Sequence, residues 1–242
     1  MSDECCNSLL QVSALTSGYG KKVVLSGIDL HIDVGEIVAV IGHNGAGKST
    51  LLKAIFGLIP IWQGVVSIRG VVRGTISPAE LIADGVAYIP QGSRVFGELT
   101  VRENLEMSAL AVRDVSRRVA AIESALKAFP ALHTSLNRLA GTLSGGQKQI
   151  LALASAFVRS PKLFLLDEPS LGLAPAATAE ALNAIKATCE GLGASVLVVE
   201  QKVREVLKIA HRVYVLRNGR VSYAGPVADI AQNDERLRQV YL

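Results

Sequence analysis

Aromatic residues make up only 5% of this chain, with a single Trp, although half of its residues are hydrophobic. A core of that composition is aliphatic, which buried parallel strands favour. No run reaches the ~18 consecutive apolar residues of a spanning helix, so any membrane role is expected to come through a partner. The first residues, MSDECCNS, carry acids and no long apolar segment, and do not read as a secretory signal. No basic block is longer than Lys21-Lys22 or Arg117-Arg118, and 25 basic against 21 acidic residues leave a net charge of +4. That balance is too mild and dispersed to argue for nucleic-acid binding. The three cysteines, Cys5, Cys6 and Cys189, have no C-x-x-C or histidine partner spacing and read as free thiols in a reducing cytosol. Internal repeats, low-complexity tracts and flexible linkers are also lacking. What remains is 242 residues, enough for one large or two small domains with a substantial core.

Against these absences, Gly42 to Thr50 reads Gly-His-Asn-Gly-Ala-Gly-Lys-Ser-Thr. It satisfies the phosphate-loop pattern G-x-x-x-x-G-K-[ST], with Gly42, Gly47, Lys48 and Ser49 at the fixed places. Glycines there, Gly45 included, let successive backbone N–H groups turn inward around a phosphate, which a β-carbon would obstruct. Lys48 would supply a point charge to the β- and γ-phosphates, and the Ser49 hydroxyl would sit on Mg²⁺. The flanks agree with the motif. EIVAVI before the loop (Glu36 to Ile41) is apolar and β-branched, and Leu51, Leu52, Ala54, Ile55 and Leu58 follow at helical spacing. Asn44 and Thr50 lie inside the same strand–loop–helix unit.

Around this unit, Leu9 to Leu15 and Val23 to Ile32 alternate like half-buried antiparallel strands. Tyr19, in the turn Ser17-Gly18-Tyr19-Gly20, could stack on a base or simply pack the turn. GVVSIR (Gly64 to Arg69) reads as a strand, Pro78 to Ala83 as a short helix and VAYI (Val86 to Ile89) as a buried strand. Gln91 follows where a ligand crevice would open. From Thr100 to Ser144 the pattern is helical, either an inserted subdomain or a long crossover. Leu-Ser-Gly-Gly-Gln (Leu143 to Gln147) opens a long helix, with Ser144 as N-cap and Gly145 and Gly146 leaving N–H groups bare for an anion. LFLLDE (Leu163 to Glu168) buries a strand and ends in two carboxylates: Asp167 for the metal that bridges phosphates, Glu168 for the attacking water. Pro175 to Cys189 reads as a helix, SVLVV (Ser195 to Val199) as a strand, Lys202 to Ala210 as a helix, and Asn218-Gly219 as a hairpin turn. The tail from Pro226 to Leu242 has helical spacing.

Phosphate loop, glutamine after a strand, LSGGQ, then a strand ending in Asp-Glu-Pro: in this order the chain resembles the ATP-binding subunit of ABC transporters from about Leu10 to Leu242. The resemblance implies an α/β fold: a P-loop NTPase (RecA-like) core with a mainly parallel sheet, an N-terminal antiparallel β subdomain, and a helical subdomain inserted at about residues 92–160. It implies one domain over 8–242 after a tail of residues 1–7. It also implies ATP and Mg²⁺, with Tyr19 stacking on adenine, Gln91 sensing metal and water and facing the transmembrane partner, and Glu168 catalytic. Ser144, Gly145, Gly146 and Gln147 would contact the ATP held by the other protomer of a head-to-tail dimer. Three places depart from the general pattern. Gln201 stands where the family has a switch histidine, the segment Ser-Leu-Gly-Leu-Ala-Pro after Pro169 lacks the usual dimer-loop aspartate, and Ser155 replaces an arginine.

DEPSLGLAP, VVEQ and PQGSRVFGELTVREN are similar to the branched-chain amino-acid importer subunit of the LivF type, with the urea-importer subunit close behind. The implied function is ATP hydrolysis that powers uptake of branched-chain amino acids or a related small polar solute. The implied partners are separate transmembrane permease subunits, a second copy or a LivG-like paralogue, and indirectly a periplasmic binding protein. The implied location is the cytoplasmic face of the inner membrane, and no nucleic acid is involved. A soluble ABC ATPase acting on ribosomes or DNA is the competing class, but the Gln91 to Leu143 interval is too short for its coiled-coil arm. A P-loop kinase or GTPase would lack LSGGQ, and a non-hydrolysing regulator would not need Lys48, Asp167 and Glu168 intact.

Overall fold

Two long strands open the described chain, β1 (Ser8–Tyr19) and β2 (Lys22–Asp33), paired antiparallel so that Tyr19 faces Lys22 across a Gly20-Lys21 turn. The strand therefore runs through Tyr19, and the turn is shorter than the Ser17 to Gly20 segment expected from sequence. β3 (Ile37–Ile41) leads into α1 (Lys48–Ile55). β4 (Ile61–Ile68) and β5 (Val71–Arg73) follow, and with the first two strands they form an antiparallel sheet in the order β2-β1-β4-β5. Sequence patterning did not foresee β5. Arg69 and Gly70, both left-handed (φ 52° and 73°), turn the chain tightly enough for a three-residue strand to pair.

The computed structural model describes residues 8–73, 77–92, 94–112 and 114–231. Cys5, Cys6 and the tail beyond residue 231 lie outside these residues. After α2 (Pro78–Ala83) and β6 (Val86–Ile89), three α-helices intervene among the described residues before the strands resume: α3 (Val101–Ala109), α4 (Arg118–Ala128) and α5 (Gly145–Val158). Thr100 and Glu103 close a capping box at the start of α3. Thr100→Ala there would remove about 1 kcal/mol. β7 (Leu163–Asp167), α6 (Pro175–Leu192), β8 (Ser195–Glu200), α7 (Val203–Val206), β9 (Arg212–Arg217), β10 (Arg220–Pro226) and α8 (Ala228–Ala231) complete the order. The helix expected over Lys202 to Ala210 is thus only four residues long. Bonds from Lys208 N to Glu205 O and from Ile209 N to Val206 O, of the tighter i→i+3 kind, turn the chain into β9.

The second sheet has the order β10-β9-β3-β8-β7-β6, with every pair parallel except β10 on β9. Side chains alternate across it, so it separates two cores. Ile37, Ala39 and Ile41 face the helices, among them α3, α5 and α6. Val38 and Val40 face α1 and the antiparallel sheet. At the amino end of the parallel strands Arg212 donates to Glu36 (2.8 Å) and to Asp33 (3.3 Å). This part-buried fork ties β9 to the end of β2. At the other end, Gly219 in the β9–β10 turn donates to Ala46 O (3.0 Å), and its carbonyl accepts from Ser26 N (2.8 Å). Asn218 and Gly219 both have positive φ, as a two-residue hairpin of this hand requires.

Candidate active site

Register brings the chemistry together. Ile41 lies level with Glu200, and Asp167 lies level with Val199, so β3, β8 and β7 release their next residues side by side. This is the carboxyl edge, where open α/β sheets place ligands. The pairing runs one step further, with Glu168 N donating to Val199 O at 2.9 Å. Glu168 has φ +50°, a left-handed conformation uncommon outside glycine, and is buried. Such strain persists only where the surroundings over-determine it.

The loop after Ile41 encloses the start of α1. A β-carbon on Gly42 would come within 2.3 Å of Leu216 O, and one on Gly47 within 2.8 Å of a Leu25 methyl carbon. The glycines are therefore required by close approach as well as by conformation. Lys48 curls back over the loop, donating to the carbonyls of Gly42 (2.7 Å) and His43 (3.1 Å). Burial lowers its pKa from the ordinary lysine value, while the carboxylates of Glu168, Asp167 and Glu200 oppose that shift. A cleft of about 380 Å³ lies over the loop, lined by Asn44, Gly45, Gly47, Lys48, Ser49 and Thr50 together with Gln91, Glu168, Gln201 and Val24.

The two carboxylates differ in their partners. Asp167 accepts from the Ser49 hydroxyl (2.8 Å) and from Tyr88 (3.4 Å). Burial pushes its carboxyl above the usual carboxylate range, against the Ser49 hydrogen bond. Glu168 accepts one side-chain amide on each oxygen, from Gln91 Nε2 at 2.9 Å and from Gln201 Nε2 at 2.5 Å. The Gln201 amide is therefore spent on Glu168, and α7 starts from Lys202 with no side-chain cap. Ser49 and Asp167 offer the hard oxygen donors that suit Mg²⁺, an ion usually bound by one or two carboxylates plus phosphates and water.

Not every expected residue converges on this cleft. Tyr19 is exposed at the end of β1 and does not line it. Ser144 to Gln147 line a separate cavity of about 390 Å³ with Gly172 and Ala174. Ser144 is the N-cap of α5, in a reciprocal box with Gln147 (3.3 and 3.1 Å), and a β-carbon on Gly145 would meet nothing within 4 Å. Val24, Tyr88 and Glu200 escaped the sequence reading. Nothing in an alternating strand singles out Val24, and a tyrosine inside VAYI reads as core.

The chain from residue 25 to residue 171 matches the family model described as ABC transporter. The chain belongs to the ABC transporter family. As a member, this ABC protein is an ATP-binding subunit and an ATPase. It is 38% identical to the probable branched-chain amino acid transport ATP-binding protein LivF of Archaeoglobus fulgidus, covering 94% of this chain and 96% of that one. It is 37% identical to the high-affinity branched-chain amino acid transport ATP-binding protein BraG of Pseudomonas aeruginosa (97% and 99%). The lipopolysaccharide export system ATP-binding protein LptB of Haemophilus influenzae is 32% identical (97% of each). A solved structure described as an ATP binding subunit of an ABC transporter superposes with a TM-score of 0.83 at 32% identity, covering 96% of this ABC ATPase and 99% of that chain. Among the described residues no helix is long and apolar enough to cross a membrane.

Proposed function

We propose that this ABC ATPase is the motor of an importer for branched-chain amino acids or a related small polar solute. In this reading it works on the cytoplasmic face of the inner membrane beneath separate permease subunits. A periplasmic binding protein chooses the solute. The observation that carries the reading is near-full-length similarity to two branched-chain amino acid transport subunits, at higher identity than to the export subunit. The test is uptake of labelled leucine into vesicles that hold this chain with its permease subunits, with ATP inside and the binding protein supplied outside. ATP-driven leucine accumulation is the expected result. ATP-driven extraction of a lipid instead would overturn the importer reading.

In the proposed chemistry Lys48 and the loop N–H groups hold the β- and γ-phosphates. Ser49, Asp167 and Gln91 would hold Mg²⁺, which when bound offsets phosphate charge. Water attacks the γ-phosphorus, the bond to the β,γ-bridging oxygen breaks, and Glu168 takes the water's proton as ADP and phosphate form. Each oxygen of Glu168 accepts a single glutamine amide, which leaves lone pairs to receive the water's proton. The separate position of Ser144 to Gln147 supports their serving the nucleotide of a second subunit, either another copy or a LivG-like paralogue.

Gln201 then turns from Glu168 to the γ-phosphate. An amide donates there as a histidine would but never ionises. Gln201→Ala is expected to lower turnover in the assembled transporter about ten- to 150-fold, the worth of a 1.5–3 kcal/mol hydrogen bond to a charged group. Gln201→His is expected to stay active and gain a titration step between about pH 6 and 7. Rate–pH profiles of both variants check this, and unchanged turnover in Gln201→Ala would remove the residue from the active site.

A further inference from the structure

The residues on either side of Gln201 grip the loop that follows Glu168. Ser170 N donates to Glu200 Oε1 at 2.8 Å. Lys202 Nζ donates to the carbonyls of Ser170 (3.3 Å) and Leu173 (3.0 Å) and to the Thr178 hydroxyl (2.8 Å) in the first turn of α6. The Ser170 hydroxyl is itself buried without a partner, so the loop is held by its main chain rather than by its side chain. Glu200 is only 2% exposed, and its other oxygen accepts from Gln201 N at 3.1 Å. A buried carboxylate is retained only where N–H donors replace its water. Here those donors belong to the two segments that must stay in register: the end of β8 and the loop.

The far end of the loop reaches α5. A β-carbon on Gly146 would lie 3.1 Å from Leu173 Cδ2, so Leu173 sits directly against the glycine turn that starts the helix. A line of contacts therefore runs from Glu168 through Gln201 to Glu200 and Lys202, along the loop to Leu173, and on to Gly146.

We propose that Glu200 and Lys202 are positioning residues, which clasp the loop from Ser170 to Leu173 to the strand end bearing Gln201 so that this amide and the N-terminus of α5 move as one body. This deepens the function proposed above and rests on its reading of Gln201 and of Ser144 to Gln147. Because α5 serves a second subunit's nucleotide in that reading, the clasp carries the state of one site to the other. It requires no acid in the loop itself, where this chain has Leu171 and Gly172.

The experiment uses the assembled transporter. ATP affinity, the ATP dependence of turnover, and hydrogen exchange over residues 168–175 are measured for the parent, Lys202→Met, Lys202→Arg, Glu200→Gln and Gln201→Ala. Lys202→Met keeps the apolar stem and removes three bonds. It is expected to bind ATP as the parent does, to turn over about ten- to 100-fold more slowly, as misplacement of an ångström or so does, and to lose cooperativity in ATP. Its loop amides are expected to exchange faster, and Lys202→Arg is expected to restore most of each effect. Glu200→Gln leaves one oxygen for the two N–H donors of Ser170 and Gln201, so one of these two amides is expected to exchange faster. Parental turnover in Lys202→Met beside a slowed Gln201→Ala would overturn the clasp alone. So would ATP affinity falling in step with turnover, because that is damage to the site. Parental turnover in Gln201→Ala would instead count against the reading of Gln201 and would overturn a clasp that acts through it.

Discussion

Glu168→Gln is expected to bind ATP as the parent does and to turn it over at least ~10²-fold more slowly, the lower end of what a positioned general base contributes. The substitution keeps shape and removes only the proton acceptor. Its environment adds a detail. In the parent both carboxylate oxygens receive amide N–H groups from Gln91 and Gln201, so a glutamine at 168 would set its own NH₂ against one of those donors. A half-turn of one amide, presenting oxygen instead of nitrogen, restores the pair, and the side chain stays in place. The strained backbone (φ +50°) is no worse for Gln than for Glu. With hydrolysis blocked and binding intact, the ATP-bound dimer of the proposed function is expected to accumulate and to elute earlier on size-exclusion chromatography, with a second copy or the proposed paralogue present. Turnover at the parental rate would mean that another group activates the water.

Lys48→Ala has the opposite signature, since hydrolysis should vanish and ATP affinity should fall by at least about ten- to 150-fold, equivalent to 1.5–3 kcal/mol of charge-assisted hydrogen bonding. The neighbours make the loss severe. Asp167, Glu168 and Glu200 are all buried near this ammonium, whose ordinary ionisation they favour against its desolvation. Without it the phosphates of ATP would meet three carboxylates and no cation of the loop. Breaking a buried charge arrangement on one side costs more than the arrangement was worth. Tyr19→Ala is the contrasting control. The family resemblance implies that Tyr19 stacks on adenine, outside the phosphate cleft, so its loss is expected to weaken binding with much less effect on turnover. Equilibrium binding of ATP with Mg²⁺ measures both, and parental affinity in Lys48→Ala would sink the phosphate assignment.

Sequence reasoning reached the strand ends because each motif terminates an apolar run. VAVI before Gly42, LFLL before Asp167 and VLVV before Glu200 are all strands, and their ends meet. The family followed from motif order alone. Three-dimensional neighbours with no motif of their own were invisible. Glu200 and Lys202 carry no role in the sequence reading, because nothing in Val-Glu-Gln-Lys says that the acid turns inward to a main-chain N–H thirty positions upstream. The length of α7 was misjudged for a related reason. The apolar spacing after Lys202 fits a long helix, but the need to enter β9 beside β3 tightens and ends it within two turns. Tyr19 shows the same limit: its neighbours suggested a turn, and cross-strand pairing with Lys22 drew it into β1.

The turn at Asn218-Gly219 carries a practical consequence for anyone re-engineering the chain. Exposed two-residue hairpins are ordinarily favoured places for inserted tags, new termini or circular permutation. This one is wedged in place. A β-carbon on Gly219 would fall 1.9 Å from Val24 O, and its N–H and carbonyl hold Ala46 and Ser26. Opening the chain there would release the back of the phosphate loop and the strand that carries Val24 together. What looks on a sequence map like a remote, dispensable bend is a keystone of the catalytic edge.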